Sequence, residues 1–75
     1  MKVTIKLIGP LIYAAGFSEK DVEVPEAITP ERLLELVGIG PDRPRIVTRN
    51  GKAIGPAETF TEGDRVVISP LYSGG

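Results

Sequence analysis

Apolar and polar side chains alternate along several stretches of the chain, which is the pattern of half-buried β-strands. The first stretch places Val3, Ile5 and Leu7 on one face and polar side chains on the other. Asn50-Gly51 is a strong hairpin signal between two such stretches, because both residues tolerate a positive φ. The pattern predicts strands over residues 2–7, 21–24, 45–49, 52–54 and 65–69.

One helix is predicted between the second and third strands. Thr29 is a suitable N-cap, Pro30 suits the first helical position, and Gly38 can close the last turn. Because a helix of about eight residues is unstable alone, it must pack on the sheet. The order of elements predicts an α+β fold, a mixed sheet of about four or five strands covered on one face by one helix. The apolar stripe of that helix is predicted to be Leu33, Leu34, Leu36 and Val37.

The remaining segments are predicted to be connections. Residues 13–16, Tyr-Ala-Ala-Gly, are expected to belong to a loop, and residues 62–64, Glu-Gly-Asp, to form the turn before the last strand. Phe60 is expected to anchor the long preceding loop in the core. Three basic residues of the second half are predicted to lie on a solvated face: Arg45, Arg49 and Lys52.

The composition excludes several kinds of chemistry. A chain of 75 residues supports one domain, and this one contains no Cys and no His. Disulfides, zinc-finger sites, thiol nucleophiles and histidine bases are therefore excluded. The ten acidic residues show no calcium-loop spacing, and with nine basic residues they give a formal net charge of -1, which argues against direct binding of nucleic acid. We expect no bound cofactor, no metal and no catalytic activity of the chain alone.

Two further segments are interpreted as structural. Gly38-Ile39-Gly40 lacks the third glycine of a dinucleotide-binding loop and follows a helix, so it is interpreted as a helix stop. The longest apolar stretch, residues 7–17, is interrupted by glycine and proline and is shorter than the roughly 20 residues that a bilayer requires. Because no basic leader or cleavage site is seen, we expect a cytoplasmic protein without a membrane partner.

The chain ends in five uncharged residues, of which the last two are Gly74 and Gly75. Glycine maximises chain entropy and offers no side chain to pack, so one interpretation is a frayed terminus. The other is chemical, because a terminal carboxylate without neighbouring Cβ atoms can enter a narrow channel and react with a nucleotide. The short distance from the last predicted strand favours the second interpretation. We therefore predict a domain of residues 1–70 and a flexible tail of residues 71–75.

The end of the chain resembles that of a known family. Residues 62–75 are similar to the acidic-glycine turn, last strand, proline and Gly-Gly end of the MoaD/ThiS family of ubiquitin-like sulfur carriers. This family includes the molybdopterin-synthase small subunit and the thiamine-biosynthesis sulfur carrier. Residues 49–52 resemble its central hairpin, and residues 29–34 resemble the start of its helix. The resemblance implies the ubiquitin-like β-grasp fold.

The resemblance also implies a reaction cycle. An E1-like adenylyltransferase would consume ATP to adenylate the Gly75 carboxylate, with Gly74 giving access. A sulfur donor such as a cysteine desulfurase or rhodanese would then convert it to a thiocarboxylate, which a sulfur-accepting synthase would use. The chain would thus be a protein co-substrate, or the small subunit of a molybdopterin synthase-type enzyme. The partner-binding residues would be those before the glycines and one on the open sheet face: Leu71, Tyr72, Ser73 and Val67.

Several alternatives stay open at this point. Residues 13–16 lack the Arg-Glu pair usual in the pterin branch, whereas the loop over residues 9–20 is longer than usual in the thiamine branch. The acceptor of the sulfur is therefore open between molybdopterin, thiamine and tRNA thiolation. A protein modifier conjugated to lysines and a non-catalytic β-grasp binding module are the alternative functions. Leu71 has an alternative role as well, packing at the end of the core.

Overall fold

The computed structural model describes residues 1–40 and 45–70. Within these ranges the chain forms five strands and two helices. In chain order they are β1 (Lys2–Leu7), α1 (Leu11–Ala15), β2 (Glu19–Glu23), α2 (Pro30–Leu36), β3 (Arg45–Arg49), β4 (Lys52–Ala53) and β5 (Arg65–Pro70).

The strands form one mixed sheet in the order β2-β1-β5-β3-β4. The two central strands, β1 and β5, are parallel, with Ile5 opposite Val66. The other neighbours are antiparallel. The first and the last strand of the described chain thus lie side by side at the centre of the sheet. The predicted α+β class is confirmed, because the sheet is mixed and a helix covers one of its faces.

The core lies between the central strands and α2. The alternation predicted for β1 is confirmed, since its three apolar residues are at most 1% exposed. Val66 and Ile68 of β5 point the same way and are fully buried. They belong to the same buried cluster as Leu33 and Leu34 of α2, which are 0% and 2% exposed. Each such side chain stabilises the fold by about 1.5 to 3 kcal/mol relative to an exposed one.

The helix α2 begins as predicted, but one residue of its stripe is exposed. The Thr29 hydroxyl oxygen accepts a hydrogen bond from the Arg32 amide at 3.4 Å, and Pro30 occupies the first turn. The prediction for Leu36 is wrong, because this side chain is 56% exposed. It lies about 160° around the helix from Leu34. Ile39, just past the helix end, is buried in the core instead.

Residues 11–15 form a second helix where a loop was predicted. Pro10 has a φ of -65° and precedes the first turn, and Gly16 ends the helix at a φ of 87°. The Gly16 amide donates to the Ile12 carbonyl at 2.8 Å, and Leu11 is only 1% exposed. Neither helix of the described ranges is long and apolar enough to cross a membrane.

The predicted hairpin is confirmed. Asn50 and Gly51 have φ angles of 52° and 89°, and Thr48 pairs with Ala53 across the turn. Strand β4 is one residue shorter than predicted, although the Ile54 amide still donates to the Val47 carbonyl at 3.0 Å.

Three other sequence predictions have a clear outcome. Phe60 is buried, as expected for an anchor. Strand β2 covers residues 19–23, so Val24 follows the strand, although it is buried. Strand β5 was predicted to end at residue 69, but Pro70 is its last residue. Proline has no amide hydrogen, so it is tolerated at the end of a strand, where no further hydrogen-bond donor is needed.

Candidate functional site

Of the six residues predicted to carry the function, the structure describes Val67 alone. The other five, Leu71, Tyr72, Ser73, Gly74 and Gly75, lie outside the described residues. The boundary between domain and tail, the alternative packing of Leu71 and the roles of the glycines therefore stay predictions. The structure describes the last strand as far as Pro70, the residue that the predicted tail would follow.

The predicted tail would follow Pro70, the last residue of the central strand β5. Pro70 pairs with Arg45 of β3 on one side. On the other side the Ile8 amide donates to the Ile68 carbonyl at 3.1 Å, and a Cβ added at Gly9 would lie 3.8 Å from Pro70 Cγ. Neighbouring strands thus flank the end of β5 on both sides. The five residues beyond Pro70 can span at most about 17 Å.

Val67 lies on the face of the sheet that points away from α2. Its neighbours along β5, Val66 and Ile68, are buried in the core, whereas Val67 is half-buried. It pairs with Lys6 of β1 and Thr48 of β3, so these three side chains form a row across the outer face. The binding role of Val67 stays a prediction.

Asp64 fixes the start of β5. Its side chain is 7% exposed, and its Oδ2 accepts from the Thr61 amide at 2.8 Å. Its Oδ1 accepts from Asn50 Nδ2 at 3.0 Å and from the Thr61 hydroxyl at 3.1 Å. Asn50 Oδ1 in turn accepts from the Arg65 amide at 2.8 Å. The hairpin turn and the first residue of β5 are therefore joined through one carboxylate.

The surroundings of the Asp64 carboxyl shift its pKa. Burial of Asp64 acts to raise its pKa. The hydrogen bonds from Thr61 and Asn50 and the charge of Arg49 act in the opposite direction and outweigh the burial, so the pKa lies below its ordinary value. Asp64 is thus held ionised as part of the fold.

Arg49 does not lie on a simply solvated face, and the prediction for it is wrong. Its guanidinium donates to the Thr59 carbonyl at 2.6 Å and to Glu58 Oε1 at 2.9 Å. Glu58 Oε2 also accepts from the Gly55 amide at 3.2 Å. These bonds hold the loop before Phe60. Lys52 is exposed, as predicted.

The described ranges contain no group of three or more Asp or Glu residues that could hold a metal ion. Every buried side-chain nitrogen or oxygen there has a hydrogen-bond partner.

No protein-family model and no curated protein matches the chain. Solved structures do match it. SAMP1 from Haloferax volcanii is 28% identical over 100% of both chains, with a TM-score of 0.76. A putative molybdopterin converting factor, subunit 1, from Pyrococcus furiosus is 23% identical over 96% of this chain and 99% of that one, with a TM-score of 0.78. This chain has the ubiquitin-like β-grasp fold.

A third similar structure is also described as a ubiquitin-like protein. It is a ubiquitin-like protein from the hyperthermophilic archaea Caldiarchaeum subterraneum, 23% identical over 99% of this chain and 100% of that one, with a TM-score of 0.58. The neighbours share the ubiquitin-like β-grasp fold that the resemblance to the MoaD/ThiS family implies. The resemblance described for the sequence is confirmed at this level.

Sequence reasoning missed two exposed apolar side chains near the end of β5. Ile8 is 38% exposed and Ile46 is 40% exposed. Ile46 precedes another apolar residue, Val47, so alternation alone does not say which of the two faces the core. The register decides it, because Val47 pairs with the fully buried Ile68.

Proposed function

We propose that the chain is a sulfur carrier whose working group is the Gly75 carboxylate. One observation carries the proposal: the central strand of a β-grasp sheet leads, through Pro70, into five uncharged residues that end in Gly74-Gly75. The Pyrococcus furiosus neighbour supports the proposal through its fold. A group at the end of a short tail can enter a partner's active site while the domain stays outside.

The cycle needs three partners. An E1-like adenylyltransferase joins the Gly75 carboxylate to the α-phosphorus of ATP and releases pyrophosphate. A persulfide on a cysteine desulfurase or rhodanese attacks the acyl carbon and displaces AMP, after which a partner thiol cleaves the sulfur-sulfur bond and frees the thiocarboxylate. A sulfur-accepting synthase consumes it. The chain is a co-substrate that binds no cofactor, and ATP is consumed by its partner in the cytoplasm.

Intact mass spectrometry tests the proposal. The chain is incubated with ATP, sulfide and an E1-like enzyme whose ATP–pyrophosphate exchange depends on the chain. We expect a mass increase equal to the difference between one sulfur and one oxygen atom. A chain that lacks Gly74 and Gly75 is the matched control and should show no increase. An unchanged mass with an enzyme that performs the exchange would refute thiocarboxylate formation.

The sulfur acceptor is the next step of the proposal. The candidates are a synthase of molybdopterin-type or thiamine-type cofactor biosynthesis and a tRNA-thiolating enzyme. Each can be tested by single turnover with the chain carrying ³⁵S in its thiocarboxylate. Transfer of label to a pterin, a thiazole or a tRNA identifies the acceptor. Retention of label with all three would refute this part of the proposal.

A second candidate is a protein modifier that forms isopeptide bonds with lysines. The 28% identity to SAMP1 favours it, since the same protein is also described as small archaeal modifier protein 1. Peptide mass spectrometry of cell lysates tests it, because conjugated lysines would carry a remnant of residues 71–75. A third candidate, a plain binding module, would keep its partner after deletion of Gly74 and Gly75, whereas a carrier or modifier would lose transfer.

A further inference from the structure

The hairpin turn between β3 and β4 contains the only side-chain carboxamide of the sequence. It belongs to Asn50, and the residue after it is Gly51. Asparagine is a thermolabile residue, and glycine has no Cβ to hinder the approach of its own backbone nitrogen to a neighbouring group. Both residues are exposed, so water reaches them. The turn therefore combines an amide that can be lost with a nucleophile beside it.

The reaction open to this pair is deamidation through a cyclic imide. The backbone nitrogen of Gly51 forms a bond to Cγ of Asn50 and gives up its proton, while the bond from Cγ to Nδ2 breaks and ammonia leaves. Water then opens one of the two carbonyls of the ring. The products are aspartate and isoaspartate, and in the second the main chain continues through the side-chain carbonyl. Water is the only co-reactant.

The fold holds both polar atoms of this carboxamide. Asn50 Oδ1 accepts from the Arg65 amide at 2.8 Å, and Nδ2 donates to Asp64 Oδ1 at 3.0 Å. The Asn50 amide also donates to the Arg65 carbonyl at 2.8 Å. Closure of the imide ring turns the carboxamide and expels Nδ2, so both side-chain bonds must open first. Contact with the start of β5 thus protects the turn from deamidation.

The product does not fit the same contacts. A carboxylate oxygen in the place of Nδ2 would lie at the distance of 3.0 Å that now separates Nδ2 from Asp64 Oδ1. Two carboxylates so close repel each other, and the donor to Asp64 is lost. Asp64 also holds Thr61 and begins the turn into β5. Deamidation would therefore loosen the start of the central strand.

We infer that Asn50 is a modification site controlled by the fold, which deamidates when its contacts to Asp64 and Arg65 open and which then prevents them from closing. The reaction is slow in the closed hairpin. The product cannot restore the closed contacts, so each conversion leaves the start of β5 loosened. This inference is independent of the proposed function, because it involves neither the Gly75 carboxylate nor a partner.

The rate of conversion is the first test. The chain is incubated at neutral pH well below its Tm, and peptide mapping and labelling by an isoaspartyl methyltransferase follow Asn50. The signal has one source, since the sequence has no other Asn, no Gln and no Asp before a glycine. A peptide of residues 46–54 is the open reference. We expect the folded chain to react at least about tenfold more slowly, because two hydrogen bonds must break. Equal rates would overturn the inference.

Removal of the protecting carboxylate is the second test. Asp64→Ala should bring the rate close to that of the peptide. Leu34→Ala is the control, because it weakens the core at α2 without touching the turn, and its rate should stay that of the unaltered chain. Circular dichroism establishes that both variants are folded during the incubation. Equal acceleration by the two substitutions would show that conversion proceeds through global unfolding, and an unchanged rate in Asp64→Ala would show that Asp64 gives no protection. Either result overturns the inference.

The effect of the product is tested separately with Asn50→Asp, which supplies one product directly. We expect it to lower the midpoint of urea unfolding at neutral pH. In an Asp64→Ala background the same substitution should lower the midpoint much less, because the facing carboxylate is absent. An equal shift in both backgrounds, or none in either, would refute the incompatibility of the product with Asp64.

Discussion

Asp64→Asn is the substitution that most directly tests how the sheet is held together at the start of β5. Asparagine keeps the shape of the side chain but removes the charge and replaces one acceptor oxygen by a donor NH2 group. Asp64 accepts hydrogen bonds at both oxygens, from Thr61 and Asn50. The Thr61 amide and Asn50 Nδ2 are donors only, so in either orientation the new NH2 group faces at least one of them.

The expected loss follows from this mismatch. Leaving a buried donor unpaired costs about 1 to 3 kcal/mol, and the lost bonds involved a charged acceptor, so we expect Asp64→Asn to lower the free energy of unfolding by about 2 to 3 kcal/mol. A chain of this length is stable by about 4 to 11 kcal/mol in total. The corresponding drop in Tm is about 10 to 20 °C.

Urea unfolding followed by circular dichroism measures the loss. The slope of the free energy against urea should stay constant, which shows that the change lies in stability and not in the surface exposed on unfolding. Asp21→Asn is the matched control, because Asp21 accepts one exposed hydrogen bond from the Thr4 hydroxyl at 2.7 Å; we expect a loss below about 0.5 kcal/mol there. Equal losses in the two variants would refute the reasoning.

Three further predictions concern stability. Because the pKa of Asp64 is lower in the folded chain, its contribution is complete above the unfolded pKa of about 3.9 and disappears as the pH falls through the folded value. The gap in unfolding free energy between the unaltered chain and Asp64→Asn should therefore narrow in acid, and a constant gap from pH 7 to pH 2 would contradict this. Thr29→Ala removes the cap of α2 and should cost about 1 kcal/mol in urea unfolding, with Thr59→Ala as control. Ala27 has a φ of 60°, so Ala27→Gly should raise Tm, opposite to the decrease expected for Ala53→Gly in β4.

The sequence was informative where a local rule determines the structure. Strand β1 alternates without exception, so its buried face could be read directly. Asn50-Gly51 requires a positive φ at two successive positions, and few structures other than a tight hairpin provide that. Thr29 and Pro30 mark a helix start through the backbone groups that they satisfy or lack.

Prediction failed where packing between distant segments determines the structure. Residues 11–15 are too few for a helical period to appear, and this helix depends on burial of Leu11 under the sheet. The exposure of Leu36 depends on which side of α2 meets the strands. Arg49 gains its role only when the loop at Glu58 folds back onto it.

The outer face of the sheet around Val67 was predictable only in part for the same reason. Val67 could be placed on the outer face from alternation along β5. Its neighbours Lys6 and Ile46 come from strands far away in the sequence, and only the strand order brings them together. The ion pair between Arg65 and Glu19, the cross-strand neighbour of Lys6, likewise joins residues 46 positions apart.

The parallel pairing of β1 and β5 has a mechanical consequence. A force that draws the tail outward acts along β5, and the neighbouring ladders of β1 and β3 lie alongside the direction of pull. The hydrogen bonds between these strands therefore bear the force together, in shear. They would have to break at the same time and not one after another. A pulling force applied at Pro70 is distributed over the hydrogen bonds of β5 with both β1 and β3. The described domain would thus resist unfolding when the chain is pulled at Pro70.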